Sequence, residues 1–172
     1  MSERPLPVGS APSARPVIMG VVNVTPDSFS DGGDFLSAEA AIARGRQLLA
    51  EGADLIDVGG ESTRPGAVRI DPEIEAARVA PVIAGLRAHI HDTPELAGRE
   101  ISVDTMRARV AEAAIEAGAG IVNDVSGGRA DPEMVRVVAA AGIPWILMHW
   151  RPLEATGRTA GRADRRDLFT HS

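Results

Sequence analysis

Three segments of the chain, EGADLIDVGG (51–60), AGAGIVNDVSGG (117–128) and AGIPWILMHW (141–150), follow one plan. A glycine closes a helical stretch, a short apolar run follows, and the run ends in polar residues. Glycine suits the position just past a helix, where positive φ is often required. The apolar runs VIMGVV (17–22), LIDV (55–58), ISV (101–103), GIV (120–122) and WILM (145–148) are short and continuous rather than alternating, as in strands buried on both faces. Helical stretches separate them. One covers 37–52 and opens on Ser37, a good N-cap; an alanine-rich one covers 106–118. Two more open on Asp71-Pro72-Glu73 and Asp131-Pro132-Glu133, where Asp caps, Pro fits the first turn and Glu suits the positive helix end. The order is βα four times and then a fifth strand, which predicts an α/β fold with a parallel sheet.

Two parallel architectures compete. A dinucleotide-binding sheet wants a glycine-rich phosphate turn after its first strand. Here that strand runs into Asn23-Val24-Thr25-Pro26-Asp27 instead. A (β/α)8 TIM barrel carries its chemistry on the loops after every strand, and polar residues follow all five strands here. Such barrels usually need about 250 residues. The chain has 172, so the expectation is a partial (β/α)8 barrel with about five of its eight βα units.

Composition shifts at both ends. Residues 1–15 are rich in Pro, Ser and Ala and lack the apolar stretch of a signal peptide, so they read as a disordered leader. Residues 151–172 carry many arginines and little periodicity, and read as a loop or the start of a helix. The barrel portion is then 16–150. No apolar run reaches the roughly 18 residues of a membrane span, and a cytoplasmic protein is expected. The absence of Cys excludes disulfides, thiolate nucleophiles and zinc–sulfur sites. All 18 basic residues are Arg, so no lysine forms a Schiff base or meets a phosphate. A net charge of −6 with scattered arginines argues against nucleic acid as a partner.

The strand ends hold the candidate chemistry. NVTPDSFSDGGDF (23–35) offers Asn23 and Asp27, Asp31 and Asp34 as hard oxygen ligands for a cation such as Mg²⁺; an Asx-rich turn around Gly32-Gly33 is the alternative. In GGESTRPGA (59–67), Arg64 presents a planar fork for a phosphate or carboxylate and Thr63 a hydroxyl; a surface arginine beside a proline turn is the alternative. Asp104 and Asn123 end strands three and four, and together suit the edge of a flat heterocycle such as a pterin; a helix-capping role is the alternative for Asp104. Asp57, inside strand two, reads as a structural group hydrogen-bonded within the barrel. Met148 can line an apolar slot for a flat ring. His149 has no second His or Cys beside it, and no metal site is assigned there.

Taken together, VIMGVVNVTPDSFSDGG (17–33), LIDVGGESTRPGA (55–67), SVDT (102–105), NDVSGG (123–128) and ILMHW (146–150) resemble dihydropteroate synthase, the folate-pathway family targeted by sulfonamides. The similarity runs in order from residue 16 to about 151, and the pair SFSDGG and ESTRPG is its strongest marker. The methyltetrahydrofolate methyltransferases resemble it in fold and in the strand-end Asp and Asn, without that pair. The resemblance implies an enzyme, a transferase that joins 4-aminobenzoate to 6-hydroxymethyl-7,8-dihydropterin diphosphate. The products are 7,8-dihydropteroate and diphosphate, with Mg²⁺ assisting and a homodimer as the full-length form. A non-catalytic pterin-binding relative is the alternative.

Carried over by resemblance, Asn23 meets the metal and diphosphate, and Asp104 and Asn123 bind the pterin edge. Val125 and Met148 wall the pterin slot. Phe29, Thr63, Arg64 and Pro65 form the aminobenzoate pocket, and Asp31 helps order the closed site. Asp31, Arg64 and Asp104 are the residues implied in catalysis. The family's later strands supply a further pterin-binding Asp, a Lys, an Arg and a His. None has a counterpart here, so the chain by itself is expected to be inactive or nearly so.

Overall fold

In the computed structural model, residues 15–24, 33–61 and 69–148 are described, the side chains of 33–37 excepted. Most of the expected leader and tail lies outside them. Five strands form one sheet in the order β1-β2-β3-β4-β5, every neighbouring pair parallel. They are β1 (Met19–Asn23), β2 (Leu55–Gly59), β3 (Glu100–Asp104), β4 (Ile121–Asp124) and β5 (Trp145–Leu147). Four helices alternate with them: α1 (Gly33–Ala50), α2 (Pro72–Asp92), α3 (Ala108–Glu116) and α4 (Met134–Ala141). The sheet is open, so the partial barrel expected from the pattern is what forms.

Local chemistry explains the punctuation. Gly52, Gly118 and Gly142, which close α1, α3 and α4, all have positive φ, the conformation a side chain resists. Asp71 caps α2, accepting from the Glu73 N–H at 2.8 Å. Asp131 accepts from the Glu133 N–H at 3.0 Å with one oxygen, and with the other from the Ala108 N–H at 2.8 Å. One aspartate thus serves the entry to α4 and the start of α3. That corrects the capping alternative for Asp104: the N-cap of α3 is Arg107, and the carboxylate at its first N–H is Asp131. Helix α1 starts four residues before the expected Ser37. A serine inside a helix costs only a fraction of a kcal/mol (about 0.5), so a good cap does not oblige a helix to begin.

Side chains alternate across the sheet. Val22, Val24, Ile56, Val58, Ile101, Val103 and Val122 face the helices and join Ala41, Val79, Ile83, Leu86, Val110 and Met134 in one buried core. The opposite face corresponds to the barrel interior. At the two edges that interior face and the strand ends stay open: Met19 and Val21 on β1, and Leu147 and Met148 at β5, are exposed apolar residues. The strands also run further than the apolar runs suggested. Asn23 and Asp104 are the last residues of β1 and β3, and Asn123 lies inside β4. These three candidate side chains therefore sit on rigid strand positions, as their strand-end placement in the sequence predicts.

Candidate active site

Asn23, Gly59, Asp104 and Asn123 are register partners across β1 to β4 and form one row at the C-terminal ends of the strands. Equal register places them on the same, interior face. The glycine in this row matters. A Cβ at position 59 would lie 3.5 Å from Asn23 Oδ1 and 3.6 Å from Asp104 Oδ2. Its absence leaves open floor between an amide oxygen and a carboxylate oxygen.

One layer deeper lie the register partners Asp57 and Ser102. Both are buried. Ser102 Oγ donates to Asp57 Oδ1 at 2.5 Å, and Asn123 Nδ2 donates to Asp57 Oδ2 at 3.0 Å. This agrees with the sequence reading of Asp57 as a hydrogen-bonded group. Burial pushes the Asp57 carboxyl upward in pKa, and the two donors hold it back. Asn123 Oδ1 is buried and has no partner among the described residues.

Asp104, half-buried at the end of β3, has no hydrogen bond or counter-ion among the described residues. Its pKa is pushed up to about 7, first by burial and then by the charges of Asp57, Glu75 and Asp124. A carboxyl in this state is short of donors, and a ligand that brings N–H groups or positive charge is drawn to it.

Beside this row is a group the sequence did not reveal. Glu75, on α2 and only 2% exposed, accepts from Thr105 Oγ1 at 2.8 Å and pairs with Arg107. Arg107 also pairs with Glu61 at 2.8 Å. Burial raises the pKa of Glu75, while Thr105 and Arg107 oppose the rise. Glu61 opens the ESTRPG run and was visible as part of it. Glu75 and Arg107 lie 32 residues apart, and no local pattern connects them. Ser102 did carry a signal, as a lone polar residue two before Asp104 in a strand.

Asp104 and Val125 line one small cleft with Glu61, Thr105 and Arg107, of about 20 Å³, little more than the room one water needs. Met148 is placed apart from it, just past β5 at the open edge and 42% exposed. Phe29, Asp31, Thr63, Arg64 and Pro65, like His149, lie outside the described residues. Among the described residues no three acidic, His or Cys side chains gather into a metal cluster. Asn23 supplies a single exposed amide oxygen. That suits Mg²⁺ arriving on a diphosphate, since this ion keeps several waters and takes few protein ligands.

The sequence pattern of the family described as pterin binding enzyme matches residues 19–170. The chain belongs to that family. The dihydropteroate synthase of Mycobacterium leprae is 54% identical over 144 residues, 83% of this chain and 48% of the relative. That of Bacillus subtilis is 47% identical over 138 residues, 80% of this chain and 46% of the relative. A solved dihydropteroate synthase of Xanthomonas albilineans with 4-aminobenzoic acid superposes with a TM-score of 0.71 at 49% identity, over 81% of this chain and 48% of that one. One from Anaplasma phagocytophilum with bound 6-hydroxymethylpterin-monophosphate gives 0.70 at 43% identity, over 79% of this chain and 49% of that one. The chain spans about half the length of the relatives it matches. The resemblance read from its loops is thus borne out, and the open sheet of this chain corresponds to part of their barrel. Among the described residues, no helix is long and apolar enough to cross a membrane.

Proposed function

We propose that the chain carries the first five strands of a dihydropteroate synthase, which condenses 4-aminobenzoate with 6-hydroxymethyl-7,8-dihydropterin diphosphate. The bond from the pterin methylene to the diphosphate oxygen breaks, and a bond from that carbon to the arylamine nitrogen forms. The amine loses a proton, and diphosphate leaves. The observation that carries this reading is the strand-end row, in which Asp104, without a partner among the described residues and with its pKa pushed up to about 7, shares a register row with Asn23, Gly59 and Asn123.

Each member of the row has a task in that chemistry. Asp104 accepts from ring N–H groups and, when ionised, stabilises the positive charge that grows on the pterin as diphosphate departs. Asn123 meets the ring edge beside it, with Val125 against the ring. Asn23 takes Mg²⁺, which when bound neutralises diphosphate charge. Phe29, Thr63, Arg64 and Pro65 form the aminobenzoate pocket, Asp31 helps order the closed site, and Met148 supplies the far wall of the slot. These assignments and a homodimer of the full-length enzyme follow the sequence resemblance, and the cytoplasmic location follows the lack of a long apolar run in the sequence. The five strands bear half of the pterin cradle, so turnover is expected of a barrel with all eight.

Calorimetric titration of the chain with 6-hydroxymethylpterin tests the cradle. Affinity should rise from pH 6 to pH 8 as Asp104 ionises, with a proton released on binding below about pH 7. Asp104→Asn should flatten that dependence. Arg64→Ala in a barrel completed by three further βα units should leave pterin binding alone and lower arylamine-dependent diphosphate release by about ten- to a hundredfold. A barrel that binds pterin yet releases no diphosphate with any arylamine would overturn the enzyme reading.

A further inference from the structure

The buried trio of Asp57, Ser102 and Asn123 decides which atom of Asn123 a ligand meets. An asparagine amide has a donor end and an acceptor end of nearly equal size, and an unconstrained one can present either. Here Asn123 Nδ2 donates to Asp57 Oδ2 at 3.0 Å. A carboxylate that already receives the Ser102 hydroxyl at 2.5 Å has only acceptor capacity left for a neighbour. Turning the Asn123 amide over would set its oxygen against a carboxylate oxygen. The planar amide therefore keeps Nδ2 on Asp57 and turns Oδ1 away from it. That oxygen is buried and unpartnered among the described residues, and its residue stands in register beside Asp104.

We propose that Asp57 is a positioning residue that fixes the Asn123 amide, so that position 123 presents an acceptor and selects a ring edge carrying an N–H donor. This rests on the proposed pterin-binding role of Asp104 and Asn123. Ser102 holds Asp57 from the other side and leaves its second oxygen for Asn123. With Asp104 also an acceptor when ionised, the row reads two donors on one ligand edge. A heterocycle with a ring-nitrogen lone pair or an N-methyl group in place of either N–H is rejected, because the buried oxygen opposite it stays unsatisfied.

Side-chain amide NMR on the chain tests the hold without any ligand. In the parent, one of the two Asn123 Nδ2 protons should be shifted downfield and slow to exchange. In Asp57→Asn, whose own amide can pair with Asn123 either way round, that protection should be lost. Freely exchanging Nδ2 protons in the parent, or protection unchanged in Asp57→Asn, would overturn the proposal. The parent spectrum decides even if Asp57→Asn does not fold.

Calorimetry then compares 6-hydroxymethylpterin with an analogue N-methylated at the edge nitrogen. The parent should prefer the N–H form, and Asp57→Asn should narrow the preference by about tenfold. Ser102→Ala, which leaves the Asn123 bond in place, should narrow it far less. In an Asn123→Ala background, Asp57→Asn should have no further effect, because one residue acts through the other. Equal losses in both backgrounds would make Asp57 a structural group only. If the parent binds no pterin, the proposed function fails, and the amide spectra alone decide whether Asp57 holds Asn123.

Discussion

Glu75 and Asp104 are two carboxyls taken from water near the same end of one sheet, and both have pKa values raised chiefly by burial. Glu75 is fully answered: Thr105 donates to one oxygen and Arg107 pairs with the other. Asp104 is answered by nothing among the described residues, and three acidic neighbours push its pKa up further. A buried charge given its counter-ion ties α2 to the start of α3 and serves the fold. A half-buried one left without partners among the described residues is a cost of the kind that collects where a ligand completes the set.

The largest expected effect comes from breaking the answered member. Arg107→Ala leaves Glu75 buried without its cation and removes a partner of Glu61. It should cost about 3–5 kcal/mol in urea denaturation at pH 7. A loss below about 1 kcal/mol would mean that Glu75 takes up a proton instead, and the contrast with Asp104 would weaken.

Two adjacent glycines sharpen the comparison. At position 60 a Cβ would stand 2.8 Å from Val79 Cγ1 and 3.1 Å from the Glu75 carbonyl oxygen. Gly60→Ala should therefore destabilise by about 1–3 kcal/mol. At position 59 the nearest atoms, Asn23 Oδ1 and Asp104 Cβ and Oδ2, are at ordinary contact distances of 3.5–3.6 Å. Gly59→Ala should stay within about 1 kcal/mol of the parent, yet weaken 6-hydroxymethylpterin on the order of tenfold by filling the floor of the row. Thermal melts beside calorimetry separate the two. Equal stability losses would erase the distinction between a packing glycine and a site glycine.

A smaller effect follows pH. The folded chain keeps the Asp104 proton up to about pH 7, whereas the unfolded chain releases it near 3.8. Across that window the folded state binds more protons, so this group's contribution to stability falls as pH rises. Asp104→Asn removes the slope. Urea midpoints from pH 4 to pH 8 should show the variant gaining on the parent as pH rises and ahead of it at pH 8. A constant offset across the range would contradict the raised pKa. Smallest of all, Arg136→Ala breaks an ion pair to Glu133 whose side chains are 77% and 58% exposed, and should change stability by no more than about 0.5 kcal/mol.

Much of this was legible in the chain. Helix-closing glycines at 52, 118 and 142 read correctly, because one residue's backbone freedom decides each of those stops. The first Asp-Pro-Glu opening also read correctly, whereas the second lies just before its helix: α4 starts at Met134 with Glu133 as its N-cap, and Asp131 also adds a bond to Ala108 of another helix. Asn23 and Asp104 read correctly as the ends of β1 and β3, while β4 runs one residue past Asn123, since polarity marks a loop only when the sheet does not continue. Asp104, Asn123, Asn23 and Val125 stood out as strand-end residues or through resemblance. Glu75 and Arg107 did not, because a polar residue on a helix announces exposure, and only α2 packed on α3 makes it interior.

The sequence by itself determined the alternation of strand and helix, the parallel sheet and the family, because these rest on periodicity, caps and loop residues that lie close together in the chain. Only the tertiary structure decided which carboxyl is paired and which is left open. Asp57, Glu75 and Asp104 are all carboxylic acids in the sequence, and what separates them is that partners 30 to 66 residues away reach the first two and none among the described residues reaches Asp104. Burial sets the cost of a charge, and the fold alone sets both the burial and the partner that offsets it.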